Sequence, residues 1–184
     1  MSSFITNFQS PVELDDLVDR YKRNRVTNLE MVINHEKYAP IEWTVDKDAA
    51  IGDTVYFMCA KTSIDHIGHL CALLRRTEET DKGLIVFAEA LREKYKRAAG
   101  HIIAVGRVAD QPFRTEITGW ENPYWRSPWY ARIENIHVLD VPVGIAEFRD
   151  CIKVSRTGAI TKLTQGQEEL LQNLIAAKDY IIAI

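Results

Sequence analysis

The run Asp53-Thr54-Val55-Tyr56-Phe57-Met58-Cys59-Ala60 constrains the fold more than any other stretch of the chain. A strand with one face in water alternates apolar and polar residues. A nearly continuous apolar run that follows a turn over residues 46–52 instead calls for burial on both faces. The run is therefore expected to be a central strand of a sheet. The chain has 184 residues, and a domain of that size buries roughly 70 per cent of its unfolded surface, so a self-sufficient core is expected.

The rest of the chain supplies the neighbours. Phe4-Ile5-Thr6-Asn7-Phe8 alternates as a short strand, and Ser10-Pro11-Val12-Glu13 reads as a helix start with Ser10 as N-cap and Glu13 as its capping-box partner. Val12, Leu14, Leu17, Val18 and Tyr21 are expected to give that helix a buried stripe, and Arg20, Lys22, Arg23 and Arg25 stand at its negative end. The helix dipole explains these cations as well as phosphate binding does. Leu29-Glu30-Met31-Val32-Ile33 is compatible with a strand, and Ile41-Glu42-Trp43-Thr44-Val45 alternates as one. Between residues 63 and 100 the period becomes helical twice, first from Ser63 as a cap through Ile64, Ile67, Leu70 and Leu74, then through Leu84, Phe87, Leu91 and Tyr95. The second pattern ends in Arg92, Lys94, Lys96 and Arg97, where a solvated face is the default and contact with a polyanion the alternative.

The β period returns in Ile102-Ile103-Ala104-Val105-Gly106-Arg107-Val108, with Gly106 expected at a bulge or barrel bend. A strand over Tyr130 to Leu139, a connector that positions Phe148, and short strands over Ile152–Val154 and Ile160–Lys162 follow. Thr164 and Gln167 form a capping box for a last helix carrying Leu170, Leu171, Leu174 and Ile175, and the apolar residues 180–184 are expected to dock. This order fits an α+β fold built on a small, mainly antiparallel β-barrel with flanking helices and an inserted helical hairpin.

Residues 118–133, TGWENPYWRSPWYARI, hold three of the four tryptophans, with Pro123 and Pro128 among them. Rings packed that densely cannot share one side of a helix or strand, and the prolines forbid a continuous ladder. A loop presenting flat rings is expected, followed by a strand. Such rings either stack on a planar ligand or plug the end of the barrel.

Composition narrows the function classes. A net charge of −3 excludes a polycation that coats nucleic acid by charge alone. Three cysteines without C-x-x-C spacing argue against a disulfide framework and a zinc knuckle. Cys59, His66, His69 and Cys71 are near in sequence, but the two histidines share a helix face from which Cys71 turns away, so no metal is expected. No cofactor motif is present, no apolar run approaches the roughly 20 residues that span a bilayer, and no leader is read at Met1-Ser2-Ser3-Phe4. A cytoplasmic address is the expectation.

The order of elements and several phrases resemble the PUA-like superfamily, specifically its EVE and YTH branches. Phe4-Ile5-Thr6-Asn7 before a helix is similar to their opening strand and helix, and Gly52-Asp53-Thr54-Val55-Tyr56-Phe57 to their Gly-Asp turn and central strand. Ile102 to Val108 resembles the next strand, and Cys151 to Gly158 with the helix from Gln165 the closing segment. The resemblance implies one PUA-like (EVE/YTH-like) domain over 1–184 with a helical insertion at about 63–100. Where those families carry a lysine-serine pair this chain has Thr6-Asn7, and where EVE domains carry tyrosine-histidine-serine it has Met58-Cys59-Ala60.

Those families hold a modified base of DNA or RNA in an aromatic pocket. By resemblance, Thr6, Asn7, Trp43, Met58, Trp120, Trp125 and Trp129 are the expected nucleobase-binding residues, with Lys61 and Arg156 toward phosphate. The expected partner is modified DNA or RNA, with a separate effector protein beside the module and no membrane. Two other classes compete. A nuclease or RNA-processing enzyme needs a carboxylate cluster or activated nucleophile that is not readable here. A protein-interaction module would use the aromatic loop or the helical hairpin as its anchor.

Overall fold

The computed structural model describes residues 1–77, 81–115, 128–155 and 159–182, with side chains to residue 179. The strands are β1 (Ser3–Phe8), β2 (Ile41–Thr44), β3 (Thr54–Cys59), β4 (His101–Val108), β5 (Phe113–Arg114), β6 (Trp129–Gly144) and β7 (Ile160–Leu163). The helices are α1 (Leu14–Arg23), α2 (Asn28–Ile33), α3 (His35–Tyr38), α4 (Ser63–Arg76), α5 (Lys82–Ala98), α6 (Ile145–Phe148) and α7 (Gln165–Ile182). The strands form one mixed sheet in the order β2-β6-β4-β3-β1-β7, with β5 added to β6, curled into a half-barrel. β3 is central, as its apolar run demands: every residue of β3 and of its parallel neighbour β1 is buried.

The period of two divides the core across the sheet. Phe4, Phe8, Val55 and Phe57 point into the larger cluster, which Leu17 of α1, Leu29 and Val32 of α2, and the stripes of α4 and α5 complete. On α5 that stripe is Leu84, Ala88, Leu91, Tyr95 and Ala98, and each fully buried leucine stabilises by about 1.5–3 kcal/mol. Ile5, Tyr56 and Met58 point the other way, under Phe148 of α6 and Leu171 of α7. The connector thus places Phe148 as its sequence implies. The Thr164–Gln167 capping box also forms, with reciprocal bonds of 3.0 and 3.4 Å.

Curvature has a local cause. β4 changes register against β3 between Phe57 and Met58 and against β6 between Val105 and Arg107. Opposite the second shift Asn135 takes φ 50°, and a Cβ on Gly106 would stand 2.7 Å from Ile133 Cγ2. The expected bulge is present, and glycine is required there because the two strands approach closely. The turn before β3 is held by Asp53, whose carboxylate accepts from the Ser2 and Ala50 N–H groups at 2.7 and 2.9 Å.

Four local readings are corrected. Leu29 to Ile33 is the helix α2, not a strand: Thr27 Oγ1 accepts from the Glu30 N–H and Glu30 Oε2 from the Thr27 N–H, a complete capping box. Ser10 does not cap α1, which starts at Leu14 with Glu13 as an N-cap lacking a side-chain bond. Instead Ser10 Oγ donates to the Ser63 carbonyl at 2.9 Å and its N–H donates to Ser63 Oγ at 3.1 Å. Ser63 is therefore spent on this tie, and Thr62 stands at the N-cap of α4 without a side-chain cap bond. Ile152–Val154 is irregular chain, with Ile152 buried in the smaller core. No described helix is long and apolar enough to cross a membrane.

Candidate functional site

The sheet's curl brings β2, at one end of the strand order, against β1. Side chains make this closure, and Thr6 is its centre. Thr6 is fully buried, and its Oγ1 accepts from the Trp43 Nε1–H at 3.1 Å and donates to the Thr44 carbonyl at 3.3 Å. Trp43 is 6% exposed and lies edge-on between Phe8, with centroids 5.8 Å apart at 88°, and Phe57, at 5.2 Å and 77°. Two such aromatic pairs add about 0.5–1.5 kcal/mol each beyond the area they bury. Trp129 joins from the start of β6: its carbonyl accepts from the Val45 N–H at 3.0 Å and Thr44 Oγ1 at 3.4 Å, and its half-buried ring packs on the larger core.

Asn7 acts on the other face of the same strand end. Its register partner is Met58, which is 2% exposed in the smaller core. Asn7 Nδ2 donates to the Ser155 carbonyl at 3.3 Å, and its N–H donates to the Ala159 carbonyl at 2.7 Å. One residue therefore holds both Ser155 and Ala159, the described residues on either side of 156–158. Thr115 does the same for the aromatic segment, its N–H donating to the Pro128 carbonyl at 2.8 Å. Thr115 and Pro128, the described residues on either side of 116–127, therefore lie together, Pro128 one residue before Trp129.

Among the sequence-derived site residues, Thr6, Trp43 and Trp129 meet at this seam, and Asn7 and Met58 lie behind it across the sheet. Lys61 is exposed in the turn between β3 and α4. Trp120, Trp125 and Arg156 lie outside the described residues. The sequence reading did not include Thr44 and Ser155. Thr44 was detectable as the polar neighbour of Trp43 in an alternating strand, whereas Ser155 carries no signal, because its main-chain oxygen is what is used.

The titratable groups with displaced pKa values lie elsewhere. Burial pushes the Cys59 thiol up to about 12, so it stays protonated near neutrality and is no nucleophile. Burial, then the Glu168 carboxylate, pushes Tyr56 up to about 12. Glu168 also accepts from Thr54 Oγ1 at 3.1 Å, tying α7 to the sheet. Among the described residues no group of three His, Cys, Asp or Glu side chains could hold a metal ion.

The basic end of α1 borders a depression of about 430 Å³ lined by Arg20, Arg25, Met31 and Tyr38 among others. Its cations are already engaged: Arg20 with Asp16 at 2.9 Å, and Arg23 and Arg25 with Asp19 at 2.7 and 3.1 Å. No protein-family model and no curated protein matches the chain.

Proposed function

We propose that the chain is a non-catalytic binding module of the PUA-like, EVE/YTH-like kind, which takes a modified nucleobase of DNA or RNA at the seam between β1 and β2. The observation that carries this reading is the Thr6-Asn7 pair. Two adjacent polar side chains sit in the second half of a wholly buried strand, whose other polar residue is Ser3 at its start, at the point where the curled sheet closes and Thr115 meets Pro128. A buried polar pair costs stability unless it is satisfied, and here both members are bonded to the chain that borders the seam.

The energetics are consistent with base recognition. Extracting a base from a duplex costs a few kcal/mol, least for a single-stranded site. Stacking on an aromatic ring returns about 1–3 kcal/mol per base. Trp120 and Trp125 are the proposed walls, with Trp129 beside them. Trp43 supports from below, since its indole N–H is held by Thr6. The module acts next to a separate effector.

The test is a screen of modified nucleosides and short modified oligonucleotides read by tryptophan fluorescence. Binding of at least one ligand is expected, and its loss in Trp120→Ala or Trp125→Ala with an unchanged circular dichroism spectrum. If both variants bind as the parent does, or the whole set is silent, the reading is wrong.

A further inference from the structure

The face shared by α4 and α5 carries cations that the rest of the fold leaves unspent. Among the described residues Lys61, Arg76, Arg92 and Arg97 form no ion pair, while at the basic end of α1 Arg20, Arg23 and Arg25 are held by Asp16 and Asp19 and Lys22 stands alone. Arg92 and Lys96 are one turn apart on α5, about 6 Å along its axis. Lys61 is next in line, because its Cβ and Cγ lie 3.6 Å from where a Cβ on Gly100 would stand, four residues beyond Lys96. Gly68 of α4 leaves room for the Arg92 guanidinium, whose Nε is 3.5 Å from its missing Cβ position.

Lys96 touches Glu93 at 3.4 Å, but both side chains are about 60% exposed, and a pair of that kind holds its partners weakly. The acids of α4 and α5 are Asp65, Glu89 and Glu93; Glu89 is taken by Arg75, and Asp65 forms no ion pair among the described residues. The row ends at the turn after β3, three residues past Met58, which pairs with Asn7. It therefore begins beside the end of the sheet where the seam lies.

We infer that Arg92, Lys96 and Lys61 form a track for the sugar-phosphate backbone of a single strand, so that the ligand is a polynucleotide and not a free nucleoside. The inference rests on the base-binding reading for the direction of the strand, which runs from the seam over Lys61 onto α5. The charge spacing does not depend on that reading: one helical turn between cations is close to one nucleotide step.

Three phosphate contacts on a single strand predict a slope of about −2 for log affinity against log salt. The experiment is fluorescence anisotropy of a short labelled oligothymidylate and its oligouridylate counterpart over a tenfold range of salt. Binding of the parent is expected to weaken about 100-fold over that range, and binding of Arg92→Ala/Lys96→Ala about fivefold. Lys22→Ala, which removes an exposed cation from α1, is expected to keep the parental slope, and the thermal melt of each variant checks its folding.

The track is overturned if the double variant keeps the parental slope, if Lys22→Ala lowers it equally, or if neither strand binds. It is also overturned if phosphatidylserine vesicles, and not the strands, lose binding on substitution. The two readings fail separately. Binding of modified oligonucleotides that is lost in Trp120→Ala or Trp125→Ala but has an unaltered salt slope in the double variant removes the track alone, whereas the expected slopes with both tryptophan variants binding as the parent does remove the base site alone.

Discussion

Thr6→Val tests the closure of the half-barrel at one atom. Valine has the shape of threonine, so no cavity opens; what is lost is the hydroxyl that accepts from Trp43 at 3.1 Å and donates to the Thr44 carbonyl at 3.3 Å. The Trp43 N–H is then buried without an acceptor, which costs about 1–3 kcal/mol. The second bond is long and adds little. A loss of about 2 kcal/mol is expected, or a fall in Tm of about 4–8 °C for a chain of this size. Urea unfolding followed by far-ultraviolet circular dichroism reads it as a lower midpoint at unchanged slope. A second arm isolates the bond: in a Trp43→Phe background the donor is gone, and Thr6→Val should cost less than about 0.5 kcal/mol. Equal cost in both backgrounds would refute the argument, because the threonine would then matter for packing and not for holding the indole.

Other consequences are open to measurement. Gly106→Ala drives a methyl to 2.7 Å from Ile133 Cγ2 and should destabilise by about 1–3 kcal/mol in the same unfolding assay. Gly68→Ala, in the interior of α4 where the nearest atom is 3.5 Å away, should stabilise by about 0.5–1 kcal/mol. Burial raises the Glu30 pKa, but the Lys94 ammonium and the Thr27 N–H outweigh it and hold the carboxyl below its ordinary value. Its folded pKa being depressed, Glu30 contributes stability above the unfolded glutamate value near about 4.3, and that contribution disappears as pH falls through the folded pKa. The stability gap between the parent and Glu30→Gln should therefore be widest above about pH 5 and close in acid. Thiol labelling of the native protein should modify Cys151 alone, since Cys59 and Cys71 are buried, and all three cysteines in denaturant.

Strands β1, β3 and β4 are legible in the sequence because each carries enough apolar residues to fix a period, and α5 because its stripe spans four turns. α2 is six residues long and bears Leu29, Met31, Val32 and Ile33 on several sides, so periodicity cannot separate helix from strand. The Thr27-x-x-Glu30 cap was the available signal. Ser10 fails differently. Its local phrase is a correct capping motif, but a partner 53 residues away competes for the same hydroxyl and wins because both groups are buried.

The candidate site divides along the same line. Thr6 and Asn7 are conspicuous as polar residues in an apolar strand. That Trp43 reaches Thr6 across 37 residues depends on how far the sheet curls, and the register shifts behind that curl lie at Phe57, which pairs with Thr6 and packs on Trp43, and between β4 and β6. Ser155 meets Asn7 through a main-chain oxygen, to which sequence is blind.

The place of β1 in the strand order has a consequence for biosynthesis. β1 leaves the ribosome before the other described strands, yet it lies between β3 and β7, and β7 follows it by more than 150 residues. Until residues 160–163 emerge, one edge of an apolar strand has no hydrogen-bonding partner, and its inner face waits for α7. The sheet cannot therefore be completed from one end as the chain appears; it is stitched shut late, by contacts of long sequence separation. The nascent chain carries an unpaired sticky edge from the emergence of β1 until that of β7, the interval in which chaperone capture or misassociation competes with folding.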